Sequence, residues 1–263
     1  MRGNMNQYRL VLFLVVSLLF CNRVYSEEKP FTQGQMNQVA RAEFWKADAR
    51  LNAVYKKILA SLEGSEKRKL VFSQRAWVVY RDAEADFEAE VEATGGTMTP
   101  TIYNSARERM TDERIKQLRN PATSPDSGKG GKQGKSADKA AGERQATDWA
   151  ANFKEADERL SAVHKHLVDL LEELGKPTKI YNGEILTIDI SEDKKKLEAS
   201  VAAWSAFRDA EAAFVAETVT RKSNAAAAYD KARALLTEAR IKELQEMADF
   251  VKSDLTLGDS VPK

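Results

Sequence analysis

Trp77-Val78-Val79-Tyr80-Arg81-Asp82-Ala83-Glu84-Ala85-Asp86-Phe87 returns later in the chain as Trp204-Ser205-Ala206-Phe207-Arg208-Asp209-Ala210-Glu211-Ala212-Ala213-Phe214. Two further blocks flank it in the same order. Ahead of it, Ala47-Asp48-Ala49-Arg50-Leu51-Asn52-Ala53-Val54 matches Ala156-Asp157-Glu158-Arg159-Leu160-Ser161-Ala162-Val163. Behind it, Thr111-Asp112-Glu113-Arg114-Ile115-Lys116-Gln117-Leu118 matches Thr237-Glu238-Ala239-Arg240-Ile241-Lys242-Glu243-Leu244. Three ordered matches read as an internal duplication. The copies run over 36–119 and 146–254.

Each copy reads as three helices. Phe44, Asp48, Leu51, Tyr55, Ile58 and Leu62 recur in steps of four and three, which places them on one helix face. Leu70, Trp77, Tyr80, Glu84, Phe87 and Val91 form a second seam. Gly64-Ser65 breaks the pattern between them, with Ser65 suited to cap the next helix. Gly95-Gly96 closes the second helix, and Pro100 suits the first turn of a third. Phe153, Asp157, Leu160, His164, Leu167 and Leu171, then Trp204, Phe207, Glu211 and Phe214, repeat the scheme. The expected fold class is all-α: two tandem three-helix antiparallel bundles.

Residues 120–145 are rich in Pro, Ser, Gly and Lys and read as a flexible linker. The second copy carries an insertion from Gly175 to Asp193. Ile180-Tyr181-Asn182-Gly183-Glu184-Ile185 inside it reads as a hairpin with a two-residue turn. Tyr181, Asn182 and Gly183 either decorate the bundle or present a recognition element.

Residues 1–26 carry the pattern of an export signal: Arg2 and Arg9, the apolar run Leu10 to Phe20, and a cleavage point after Ser26. That run is too short to span a bilayer. Phe20 before Cys21 disfavours a lipid-attachment box, so the expected location is periplasmic or secreted. The 41 basic residues include three in the leader, which leaves 38 against 40 acidic residues. Such a balance opposes nucleic-acid binding. One cysteine and two histidines, His164 and His166 at a poor spacing for a shared ligand, leave no metal-ligand pattern. No phosphate-binding glycine loop or nucleophile motif is present, and no cofactor is expected.

The repeated charges carry more information than the repeated apolar residues. Asp48 sits in the first seam, Glu84 in the second, and Arg81 three residues before Glu84. Folding at Gly64 brings Asp48 level with Arg81. The expectation is a semi-buried ion cluster of Asp48, Arg81 and Glu84, repeated as Asp157, Arg208 and Glu211. An arginine that keeps both acids ionised opposes a glycosidase-like pair, which needs one acid protonated. Trp77 and Trp204 read as core anchors. Asp82, Asp86, Glu88, Glu90 and Glu92 give one helix an acidic stretch, either a solvated face or a lure for a basic partner. Gly95, Gly96 and Met98 at the adjoining loop are further contact candidates.

Ala47-Asp48-Ala49-Arg50-Leu51-Asn52-x-Val54-Tyr55, Gln74-Arg75-Ala76-Trp77-x-x-Tyr80-Arg81-Asp82-Ala83-Glu84, Gly95-Gly96-Thr97 and Thr111-x-Glu113-Arg114 together resemble the LprI-like lysozyme inhibitor domain family. Residues 36–119 resemble it closely and 146–250 more weakly. The resemblance implies exported helical domains and, for some members, inhibition of lysozyme. The expected function is therefore a non-enzymatic protein that occludes a lysozyme-type muramidase. An envelope adaptor or immunity-like module for another protein is the alternative, and peptidoglycan association is a third reading. Relatives often carry cysteines where this chain has Val39, Ala85 and Ala106. Loss of a cross-link removes about 2–4 kcal/mol, which docking of the two copies against each other would offset.

Overall fold

The structure is a computed structural model that describes residues 31–93, 96–119, 138–179, 184–219 and 225–259. The signal segment with Cys21, residues 120–137, Gly95, and Tyr181, Asn182 and Gly183 lie outside the described residues. Helix α1 (Gln33–Ser61) opens with a capping box. The Thr32 amide donates to Gln35 Oε1 at 2.8 Å, and the Gln35 amide donates back to Thr32 Oγ1 at 3.3 Å. The four-and-three spacing then buries Ala40, Phe44, Ala47 and Leu51 on one face. Only Leu62 and Glu63 separate α1 from α2 (Gly64–Ala93). Gly64 has φ 53°, a left-handed conformation that glycine adopts without a Cβ clash. Ser65 does not cap α2; its hydroxyl donates to Glu217 in the second copy at 2.6 Å.

Helix α3 (Thr99–Arg119) begins where Pro100 suits a first turn. Helix α4 (Asp138–Leu174) starts inside the stretch expected to be linker. The run Ala140-Ala141 and Glu143-Arg144-Gln145-Ala146 has good helix formers, which explains the earlier start. Strands β1 (Thr178–Lys179) and β2 (Ile185–Leu186) pair antiparallel, with Thr178 opposite Leu186 and Lys179 opposite Ile185. A two-residue Asn-Gly turn would set Lys179 opposite Leu186. The observed register is therefore one residue off that of the expected hairpin. Helices α5 (Ser191–Val219) and α6 (Ala225–Asp259) complete the chain.

The copies do not stand as two separate bundles. Residues 37–263 form one compact unit. Its spine is the antiparallel pair α2 and α5, the middle helices of the two copies, packed along their length. Tyr80 and Phe207, equivalent by the repeat, stack on each other with ring centroids 5.7 Å apart and planes 6° apart. Equivalent residues can touch only beside a two-fold relation, so a pseudo-two-fold axis passes near these rings. The third helices flank the spine: α3 packs on α2 and α6 on α5. The first helices lie outermost. In the second copy α4 runs along α6 and barely touches α5. In the first, α1 meets α3 through Arg50–Asp112 at 2.7 Å and through Arg107 over the Phe44 ring at 3.7 Å. The apolar core runs continuously from Leu51 and Leu70 through Trp77, Phe87, Trp204 and Phe207 to Leu244 and Val251.

Candidate functional site

The expected ion cluster is present in part and wired differently. Arg81 is buried, and its Nη1 donates to Asp48 Oδ1 at 3.2 Å and its Nε to Asp82 Oδ1 at 2.9 Å. Its guanidinium lies 5.1 Å from the ring centres of both Phe44 and Trp77. The second copy repeats this: Arg208 reaches Asp157 at 2.7 Å and Asp209 at 2.8 Å, between Phe153 and Trp204. Arg107 and Arg233 complete each set from the third helix, at 3.0 Å from Asp82 and 3.2 Å from Asp209.

Glu84 and Glu211 are not members of these sets. Three residues past Arg81, Glu84 has turned about 300° around the helix and faces α5 and α6 rather than α1. Arg240 grips it with a two-pronged pair of hydrogen bonds, both 2.7 Å, and the Ser200 hydroxyl donates to it as well. Reciprocally, Arg114 reaches Glu211 at 2.9 Å, and the Ser73 hydroxyl donates to the same carboxylate. The acid of each copy is thus neutralised by the third-helix arginine of the other. Arg114 and Arg240 are 0% and 1% exposed. Burial alone would raise both carboxyls; the facing guanidinium and serine outweigh it and hold Glu84 and Glu211 below the usual carboxylate range. Lys69 with Glu217 and Lys196 with Glu90 at 2.5 Å mark the two ends of the spine by the same exchange.

A groove of about 510 Å³ opens along the axis between α3 and α6, with Trp77, Tyr80, Trp204 and Phe207 among its lining residues. Six carboxylates line it: Glu84, Glu88, Glu92, Glu113, Glu243 and Glu246, against Arg109 and Arg240. Arg109 takes Glu88 at 2.5 Å and Glu113 at 3.8 Å; Arg240 takes Glu84 and also Glu243 at 3.0 Å. Burial pushes the carboxyls of Glu88, Glu92 and Glu113 up, and Arg109 only partly offsets it. Neighbouring acids add to the rise at Glu88 and Glu113. Such a groove gains from any cation that enters it. Four of the six carboxylates come from the first copy, and three of these, Glu88, Glu92 and Glu113, have no acidic counterpart in the second, where Val215, Val219 and Ala239 stand.

The acidic stretch of α2 is therefore not one solvated face. Asp82 serves Arg81 and Arg107, Asp86 and Glu90 hold Lys196, and Glu88 and Glu92 line the groove. Spacing of four gathers 82, 86 and 90 on one side and turns 88 and 92 to another. Gly96 donates its amide to the Ala93 carbonyl at 2.7 Å, and Met98 is half-exposed at the start of α3. Arg114, Arg240, Ser73, Ser200, Arg107 and Arg233 escaped the sequence reading as site residues. The available signal was a repeated arginine amid the apolar positions of the Thr-x-x-Arg-Ile-Lys-x-Leu block. Among the described residues no group of three or more His, Cys, Asp or Glu could hold a metal, and no helix is long and apolar enough to cross a membrane.

A duplicated helical unit with reciprocally neutralised acids is the class this geometry defines. Residues 26–118 and 136–244 each match the family described as lysozyme inhibitor LprI. The two matches cover well over half of the sequence, and the chain belongs to that family. One similar protein, from Rhizobium meliloti (strain 1021), is described as uncharacterized protein R02472. It is 29% identical over 104 residues, which is 35% of this chain and 74% of the relative. No solved structure matches.

Proposed function

We propose that this chain is an exported, non-enzymatic binding protein that inhibits a lysozyme-type muramidase by occluding its cleft. The family match on both copies carries this reading. Two features of the site support it. The buried acids at the heart of the unit are each held ionised by an arginine, which suits a rigid scaffold better than proton transfer. The axial groove offers carboxylates beside aromatic walls, a surface suited to the cationic side chains of a basic enzyme. In this reading Glu92, Glu113 and Glu246 at the groove make the contact, and half-exposed Met98 is a further contact. A lysozyme lytic assay titrated with mature protein tests the proposal. Inhibition that weakens from low to moderate salt is expected; full lytic activity at a large molar excess contradicts it.

A further inference from the structure

The second copy contains a cavity beside an arginine whose counterpart in the first copy is met by a glutamine of its own copy. In copy one, Arg114 Nε donates to the amide oxygen of Gln74 at 3.2 Å. At the equivalent places copy two has Val201 for Gln74 and His164 for Tyr55. A space of about 220 Å³ opens there between α4, α5 and α6, lined by His164, Val201, Trp204, Arg240, Leu160 and Leu244 among others. Arg240 is 1% exposed, and its Nε has no hydrogen-bond partner. His164 Nε2, on the same cavity, is also buried without a partner. A buried polar nitrogen left unpaired is costly, so two such nitrogens on one cavity define a demand for specific polar atoms.

We propose that this cavity is a binding site for a small carboxamide. The ligand's carbonyl oxygen accepts from Arg240 Nε, as Gln74 does from Arg114, and its amino group donates to His164 Nε2. Leu160, Leu244 and the face of Trp204 enclose the short alkyl portion. An amide fits better than an anion here. The Arg240 charge is already met by Glu84 and Glu243, and that of Arg208 by Asp157 and Asp209. Burial and the nearby Arg240 also lower the His164 pKa, so its ring is neutral and can offer a lone pair. The cavity shares Trp204 and Arg240 with the groove, but its occupation requires no muramidase.

Titration of the full mature chain with propionamide, followed by NMR of the two imidazoles, tests the site. The His164 signals are expected to shift saturably while those of exposed His166 stay still. Val201→Gln places an internal amide where Gln74 sits in copy one and should weaken binding by roughly tenfold or more, the worth of one hydrogen bond to a charged group. Val201→Met, which fills the space without an amide, should do the same should the first variant fold poorly. Unsaturable or equal shifts at both histidines, or wild-type binding in a folded variant, would overturn the proposal. Tighter binding of propionate than of propionamide would overturn the carboxamide assignment.

Discussion

Arg240 ties the last helix of the second copy to the signature block of the first. It closes a two-pronged pair with Glu84 of the other copy, fully out of solvent. Arg240→Ala strands that carboxylate and should cost about 3–5 kcal/mol in urea unfolding. Arg240→Met paired with Glu84→Leu should cost much less, because no unpaired charge remains buried. The pH dependence follows from the directions of the shifts. Glu84 and Glu211 titrate lower folded than unfolded, so their contribution is full above the unfolded value of about 4.3. It is lost as pH falls through their lower folded values. Glu88, Glu92 and Glu113 titrate higher when folded, so protonating them relieves strain. The urea midpoint should hold or rise slightly as pH falls toward about 5 and drop below about 4. A steady decline beginning at neutral pH would contradict the assignment. At the groove, Glu92→Gln with Glu246→Gln should weaken inhibition of lysozyme by roughly tenfold while leaving the melting temperature in place. The Asp48–Arg81 contact was legible because counting residues across one hairpin relates them. Glu84–Arg240 was not, since no count along the chain relates two copies that meet through space.

The first two helices of each copy were legible from apolar spacing, the third from Gly95-Gly96, Pro100 and the repeat, and the α1–α2 turn from Gly64. At φ 53°, that glycine sets a strain test: Gly64→Ala should cost about 1 kcal/mol in chemical denaturation and Gly64→Asn less, because asparagine tolerates the left-handed region. Partner choice among helices was harder to read. Short loops suggested α1 against α2 and α4 against α5, yet α4 lies chiefly on α6, and α2 pairs with α5. The apolar stripe of α2 is wide enough to serve α3 and α5 at once, and a stripe does not say which neighbour fills it. Ser73 and Ser200, both fully buried, mark the stripe that faces the other copy. Small polar residues repeated on a middle helix are the sequence mark of that contact. The insertion shows a similar limit: its strand formers were evident, but the register of its two strands differs by one residue from the one Asn-Gly implies.

Each copy supplies the counter-ion for the other's buried acid, so neither is expected to be stable alone. Residues 27–119 produced alone should be poorly helical or self-associate by circular dichroism and sedimentation, and residues 138–254 should restore a one-to-one complex. Cutting the intact chain between 120 and 137 should leave both halves together in gel filtration. The interlocking of the copies places the groove on the axis, lined from both of them. Calorimetric titration of a lysozyme into the mature chain reads that point most directly. One enzyme bound per chain, with affinity falling as salt rises, is the expected result; two per chain, or no heat of binding at low salt, would contradict it.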